Sequence, residues 1–177
     1  MLANVIEPHT VDDTASNYND ADCEPVSVSN ELPRRYVTAN QASALCPRVD
    51  KRLSDSTEWY QASLGTPDGA NNCTLARVLA RTGEMSNCHS GIGAFDMISN
   101  VWELTNGVIV DTAIDSIIIP DSGYVSGVTL QTWLISMKMS TLPVEYAEDY
   151  FWSEPTHGTY TVMLGGFYRS GSDGGII

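Results

Sequence analysis

Four cysteines, three histidines and a surplus of carboxylates are the groups in this chain that could carry chemistry. Cys23, Cys46, Cys73 and Cys88 contain no C-x-x-C spacing, so neither a zinc knuckle nor a thioredoxin-type redox pair is written. Cys73 and Cys88 flank a polar, glycine-containing loop and are the pair favoured for a disulfide if any forms. The other possibility is four thiols, buried or idle at the surface. Cys88 and His89 are neighbours in a loop and point in different directions, unlike a nucleophile and its base. His9, His89 and His157 are far apart. The acidic run Asp12-Asp13 to Asp22 lacks the glycine and the terminal bidentate glutamate of an EF-hand loop. It reads as a solvated acidic loop, as do Asp111, Asp115 and Asp121. The G-x-S-x-G, P-loop and H-E-x-x-H motifs are absent, and Gly91-Ile92-Gly93 lacks the third glycine of a dinucleotide fingerprint. No catalytic residue, metal or cofactor is expected, and hydrolase, kinase and dehydrogenase readings fall away.

The elements that must hold these residues are short. At 177 residues and 42% hydrophobic, with four Trp and eight Tyr, the chain has the length and apolar content of one folded domain. Nine basic against 22 acidic residues leave a net charge of −13, which argues against a nucleic-acid surface. No apolar run approaches the ~18 residues a membrane helix needs, and no classical signal peptide opens the chain. Residues 1–36 read as short strands and loops. Thr38-Ala39-Asn40-Gln41 is a capping box predicting a helix from Ala39 to Leu45, with Ala42, Leu45 and Cys46 on one face and Pro47 as its stop. Asp55-Ser56-Thr57-Glu58 is a second box, opening a helix that turns Trp59, Ala62 and Ser63 to one side and ends at Gly65. Residues 65–93 read as a long irregular region. Val101–Leu104 alternates weakly, Val108–Val110 reads as a buried strand, and 117–140 reads as a hairpin around Asp121-Ser122-Gly123. Tyr160–Leu164 is the clearest strand and runs straight into Gly165-Gly166. The expected class is α+β: two short helices early, several short strands later and much irregular structure.

Three motifs occur in a fixed order: Lys51-Arg52-Leu53-Ser54 with Glu58-Trp59; Gly93–Met97 leading to Asn100-Val101-Trp102-Glu103; and Leu164-Gly165-Gly166. Over residues 37–175 this set resembles the formylglycine-generating-enzyme (sulfatase-modifying factor) domain, which implies a loop-rich C-type-lectin-like fold with a few short helices and small twisted antiparallel sheets. Arg52, Glu58 and Glu103 are charges set beside Trp59 and Trp102, and such charges are tolerated inside a domain only when paired or bonded to backbone. They are expected to tie loops to the core. The resemblance also shows departures. Ser54, Ser99, Leu104 and Phe167 replace the family's Pro, Gly, Trp and Ser, and no cysteine follows Cys88 where the enzymes carry a reactive pair after Gly-Gly. Formylglycine synthesis, with a catalytic C-terminus absent from this chain, is the alternative expectation.

A non-enzymatic branch fits the departures. The chain resembles the variable proteins of diversity-generating retroelements, whose templates run G-G-N-W-N-N-G-S-N-A-G where this sequence has Gly165–Gly175. Phe167, Arg169, Ser170 and Asp173 stand at template Asn positions, and each can be reached from an Asn codon by changing adenines. The resemblance implies a ligand- or receptor-binding protein of a virion tail or cell surface, engaging a protein or glycan on a host or target cell. Its implied variable site is Phe167, Tyr168, Arg169, Ser170, Ser172 and Asp173, with Tyr150 and Trp152 lining the same surface. Tyr168, where the template has an invariant Trp, and the 150–152 aromatics also admit a plain core role. Chains of this kind continue past Gly175, so the segment beginning at 165 is expected to be cut short.

Overall fold

The computed structural model describes residues 24–67, 72–73, 78–110, 113–114, 117–118, 122–125, 130–132, 134–135, 139–140, 149–152 and 158–170. Among them are two α-helices and nine strands arranged as three antiparallel sheets, an α+β architecture.

Helix α1 spans Ala39–Leu45, and its capping box is closed both ways: Gln41 N–H donates to the Thr38 hydroxyl at 3.2 Å, and Thr38 N–H donates to the Gln41 amide oxygen at 2.8 Å. Ala42, Leu45 and Cys46 are all buried. A single 3₁₀ turn, Cys46–Val49, follows with Pro47 in its first positions, and Asp50 closes it in the left-handed region at φ +55°. Helix α2 spans Ser56–Ser63 behind a second closed box, in which Asp55 Oδ1 accepts from Glu58 N–H at 2.7 Å and Glu58 Oε2 accepts from Asp55 N–H at 3.0 Å. Its Trp59 and Ser63 are buried, and the chain leaves through Gly65 at φ +82°.

Strands β1 (Glu103–Val110) and β9 (Thr159–Leu164) pair antiparallel. The 101–104 and 108–110 stretches, read separately from sequence, meet in one strand that begins at Glu103, with Val101 and Trp102 just before it. Their register shifts between Leu104 and Val108, where buried Thr105 takes over the ladder: its hydroxyl donates to Val162 O at 3.0 Å and accepts from Gly107 N–H at 3.2 Å. Strands β2 (Ala113–Ile114) and β3 (Ile117–Ile118) extend this sheet to the order β3-β2-β1-β9. A second sheet places β4 (Gly123–Val125) between β7 (Met139–Ser140) and β8 (Tyr150–Phe151), and a third pairs β5 (Leu130–Thr132) with β6 (Leu134–Ile135).

The hairpin expected around Asp121–Gly123 does not form, because β3 and β4 lie in different sheets. β3 pairs back onto β2 with Ile114 opposite Ile117, so Asp115 and Ser116 alone connect the pair, and a short connection costs the least closure entropy. Of the N-terminal stretch, residues 1–23 lie outside the described residues. Residues 24–36 form no strand beyond an isolated bridge at Pro25. Asn30, at φ +66°, breaks extended geometry, and the segment is instead laced to the loop at 81–82 through Asn30 N–H to Thr82 O and Thr82 N–H to Glu31 O, both 2.8 Å. The described part of 65–93 contains no helix or strand, only a bridge between His89 and Phe95.

Among the described residues the buried side chains form three small clusters. Ala42, Cys46 and Leu53 pack with Leu104 beneath α1; Trp59, Met97 and Leu164 pack with Val162 between α2 and β9; and Cys73, Cys88 and Ile98 pack with Met85. Cys73 and Cys88 are joined in a disulfide with sequence separation 15, and this bridge is the centre of the third cluster. Among the described residues no helix is long and apolar enough to cross a membrane.

Candidate functional site

The segment 96–100 sets the geometry on which the site rests. Asp96, Ser99 and Asn100 all sit in the left-handed region, with φ of +59°, +65° and +59°, a costly backbone path for non-glycine residues. Hydrogen bonds hold it. The Asp96 carboxylate accepts from Gly83 N–H at 2.7 Å, while burial raises the pKa of that carboxyl. Ser99 N–H donates to Gly165 O, and buried Asn100 receives at both of its acceptors: the amide oxygen takes Ala80 N–H and the backbone carbonyl takes Tyr168 N–H, each at 3.0 Å. Asn100 therefore fixes the loop at 80 and the turn after Gly165-Gly166 relative to each other.

That turn runs Phe167–Ser170, closed by Ser170 N–H to Phe167 O at 2.8 Å and by Phe167 N–H to the Ser170 hydroxyl at 3.1 Å. It brings Phe167 against Trp102, whose rings stack at 5.9 Å and 25°. Trp102 in turn meets Trp152 edge-on at 5.5 Å, and Trp152 contacts Tyr150 at 4.9 Å. Phe167 and Tyr168 meet edge to face at 5.6 Å, and the Arg169 guanidinium lies 5.4 Å from the Tyr168 ring centre. Residues from the start of β1, the end of β8 and the turn after β9 thus form one aromatic surface. Trp152 is 46% exposed and Arg169 is exposed, while Tyr150, Trp102, Phe167, Tyr168 and Ser170 are partly buried. Of the residues expected to bind, Phe167, Tyr168, Arg169, Ser170, Tyr150 and Trp152 fall together here. Ser172 and Asp173 lie outside the described residues. Trp102, expected in a structural role, is the central ring of the surface. Its sequence neighbour Glu103 masked that role, because a Trp-Glu pair reads as core plus anchor.

The charged motif residues divide. Glu103 accepts from Trp59 Nε1–H at 2.5 Å, joining β1 to α2. Desolvation pushes its carboxyl up to about 7, against the lowering effect of the Trp59 hydrogen bond. Arg52 and Glu58 correct the sequence expectation: they form a bidentate pair, at 2.7 and 2.5 Å, whose side chains are 66% and 43% exposed. Neither is embedded. The reason lies in the capping box, which places Glu58 in the first turn of α2 facing outward toward the 51–54 segment. The Arg52 hydrogen bonds and the Asp55 N–H hold the Glu58 carboxyl down at about 2. Gly165 is positioned by exclusion rather than by contact: at φ +85° a Cβ would lie 2.7 Å from Met97 O. Gly166, buried and at φ +72°, continues the same path into the turn.

Two other places could hold chemistry. A shallow cleft of about 140 Å³ is lined by Ser54, Glu58, Trp59, Ala62, Ala94, Met97 and Glu103. Cys46 is the free cysteine among the described residues; it is buried, and desolvation raises its thiol pKa, which suppresses the reactive thiolate. No group of three or more His, Cys, Asp or Glu able to hold a metal ion occurs among the described residues. No protein-family model, curated protein or solved structure matches this chain.

Proposed function

We propose that this chain is a non-enzymatic ligand- or receptor-binding protein on a C-type-lectin-like scaffold of the formylglycine-generating-enzyme type. On this reading it is a counterpart of the variable proteins of diversity-generating retroelements, displayed on a virion tail or cell surface, with a protein or glycan of a target cell as its partner. The observation that carries the reading is the convergence of the 167–170 turn with Tyr150, Trp152 and Trp102. Aromatic and arginine side chains on rigidly anchored backbone are what recognition surfaces concentrate, because they offer large contact area at small entropy cost. The anchoring by Asn100 and Gly165 would let the side chains at 167–170 change while the backbone path stays fixed.

An oxidase of the formylglycine type would need a reactive thiolate. Among the described cysteines, Cys73 and Cys88 are consumed in a disulfide and Cys46 is buried with a raised pKa, which favours the binding reading; Cys23 lies outside the described residues. Sequencing the DNA beyond the 3′ end of the gene tests it: a reverse transcriptase and an imperfect repeat differing at adenines are expected. A gene without either, whose copies differing at 167–173 bind the same partner equally well, overturns the proposal. Copper-dependent oxidation of a cysteine peptide by this chain would restore the enzyme reading.

A further inference from the structure

We infer that the cleft where α2, the 94–97 segment and β1 meet is a binding site for a primary ammonium group on a short aliphatic chain. It shares no residue with the aromatic surface, so the inference stands independently of the recognition proposed there. The cleft has a volume of about 140 Å³. That is well below the ~300–1,000 Å³ of pockets that enclose a drug-sized molecule, and it suits a short chain end. Its walls are Trp59, Met97, Ala62 and Ala94, which offer apolar contact to methylene groups. Its polar residues are Ser54, Glu58 and Glu103. An ammonium has three donors and no acceptor, so a lining of acceptors suits it.

The two carboxyls are not equivalent. Glu58 is already matched: Arg52 holds it through hydrogen bonds of 2.7 and 2.5 Å, and Asp55 N–H donates to it as well. Glu103 has no such base. Its Oε2 accepts from Trp59 Nε1–H at 2.5 Å, and among the described residues its Oε1 has no partner. The Trp59 bond fixes the carboxyl at the cleft and leaves that oxygen for an occupant. The charges around Glu103 favour a cation. Asp96 adds negative potential to it, and the one lining carboxylate beside it, Glu58, is neutralised by Arg52. The other elements packed on β1 bring no charge: α1 has no acid or base, and in β9 Leu164 lies opposite Glu103 while Tyr160 pairs with Ile109 at the far end. An ionised carboxylate with little water and no base is costly, and burial raises the Glu103 pKa for that reason. An ammonium seated in the cleft offsets that cost, so it draws the carboxyl into its ionised form and releases the proton.

The test is an NMR titration of the whole chain with n-butylammonium chloride, read at the Trp59 indole N–H. Sodium chloride at equal concentration is the salt control, and n-butanol is the uncharged probe. n-Butylammonium is expected to shift that signal with a dissociation constant on the order of 1 mM, and n-butanol to leave it in place. Binding should weaken about tenfold from pH 8 to pH 6, because the amine stays charged while Glu103 takes up its proton at about 7. Two variants locate the site: Glu103→Gln removes the charge and keeps an acceptor for Trp59, and Ala62→Leu fills the cleft and keeps the carboxyl. Each, shown to be folded by near-ultraviolet circular dichroism, should bind n-butylammonium about tenfold more weakly. Tighter binding of an Nα-acetyl-lysine amide than of n-butylammonium would assign the ammonium to a polypeptide side chain, and weaker binding would assign it to a free amine; either supports the site. No shift with the amine, n-butanol binding as tightly as the amine, an affinity that does not change with pH, or equal binding by the parent and a folded variant would overturn it.

Discussion

At Gly165 the backbone takes φ +85°, and a Cβ built there would lie 2.7 Å from the Met97 carbonyl oxygen and 3.1 Å from the Trp59 ring. Two costs therefore add in Gly165→Ala: the left-handed conformation and the overlap with backbone that cannot move aside. The variant is expected to lose about 2–4 kcal/mol in urea unfolding and to loosen the 167–170 turn, since Ser99 N–H reaches Gly165 O. Glu103 makes the second residue-scale prediction. Its carboxyl is raised from an ordinary 4.5 to about 7 in the folded chain, so the native state holds the proton more tightly than the unfolded state. The associated stability is fully present below about 4.5 and is lost as pH rises through about 7, with an upper bound of about 3 kcal/mol. Glu103→Gln keeps an acceptor for Trp59 Nε1–H and should flatten stability against pH between those values. A parent protein with no such slope, followed by chemical denaturation, would contradict the desolvated carboxyl.

Both helices are too short to be stable alone, with seven and eight residues against the ~12–15 that isolated helices need. Their caps and their buried faces make up the difference. Asp55 satisfies the first turn of α2, and Glu58 serves the same box while pairing with Arg52. Asp55→Ala should therefore cost about 1 kcal/mol, and the measurement is the shift in the urea midpoint at constant slope. Acidification acts on the same element: the Glu58 carboxyl is lowered, so its stabilising effect holds above about 4.5 and is lost as pH falls toward about 2. At the scale of strands, the bulge between Leu104 and Val108 merges two stretches that look separate in sequence. A polar run, Thr105-Asn106-Gly107, would ordinarily end a strand. Here the buried Thr105 hydroxyl stands in for the missing ladder bonds, and Gly107 allows the close approach of Val162 and Ser56.

At the scale of the molecule, the described residues pack in separate small clusters, one of which belongs to the irregular region before β1. The Cys73–Cys88 bridge, fully buried beside Ile98, closes that region. Replacing both cysteines by Ser is expected to destabilise the protein by about 3 kcal/mol, the loop-closure scale for 15 residues. Thermal unfolding with and without reductant should show the same difference, and no change on reduction would mean that the clusters hold the loop unaided.

The local elements were legible in the sequence because their causes are local. Two capping boxes fix where α1 and α2 begin, Pro47 and Gly65 mark their ends, and alternation marks β9. Pairing was not legible at 117–125, because an alternating pattern says which residues can form a strand but not which neighbour completes it. β3 returned to β2, and β4 went to β7 and β8. The residues proposed to bind at 167–170 follow from motif order and those at 150 and 152 from an aromatic run upstream, but their union with Trp102 is a property of the tertiary structure alone. It requires three residues held at positive φ in 96–100 and the Asn100 carbonyl placed under Tyr168 N–H. Composition determined an acidic chain with scattered aromatics. Only the fold decided that several of those aromatics meet on one face, because ring contact depends on long-range backbone hydrogen bonds that no local spacing encodes.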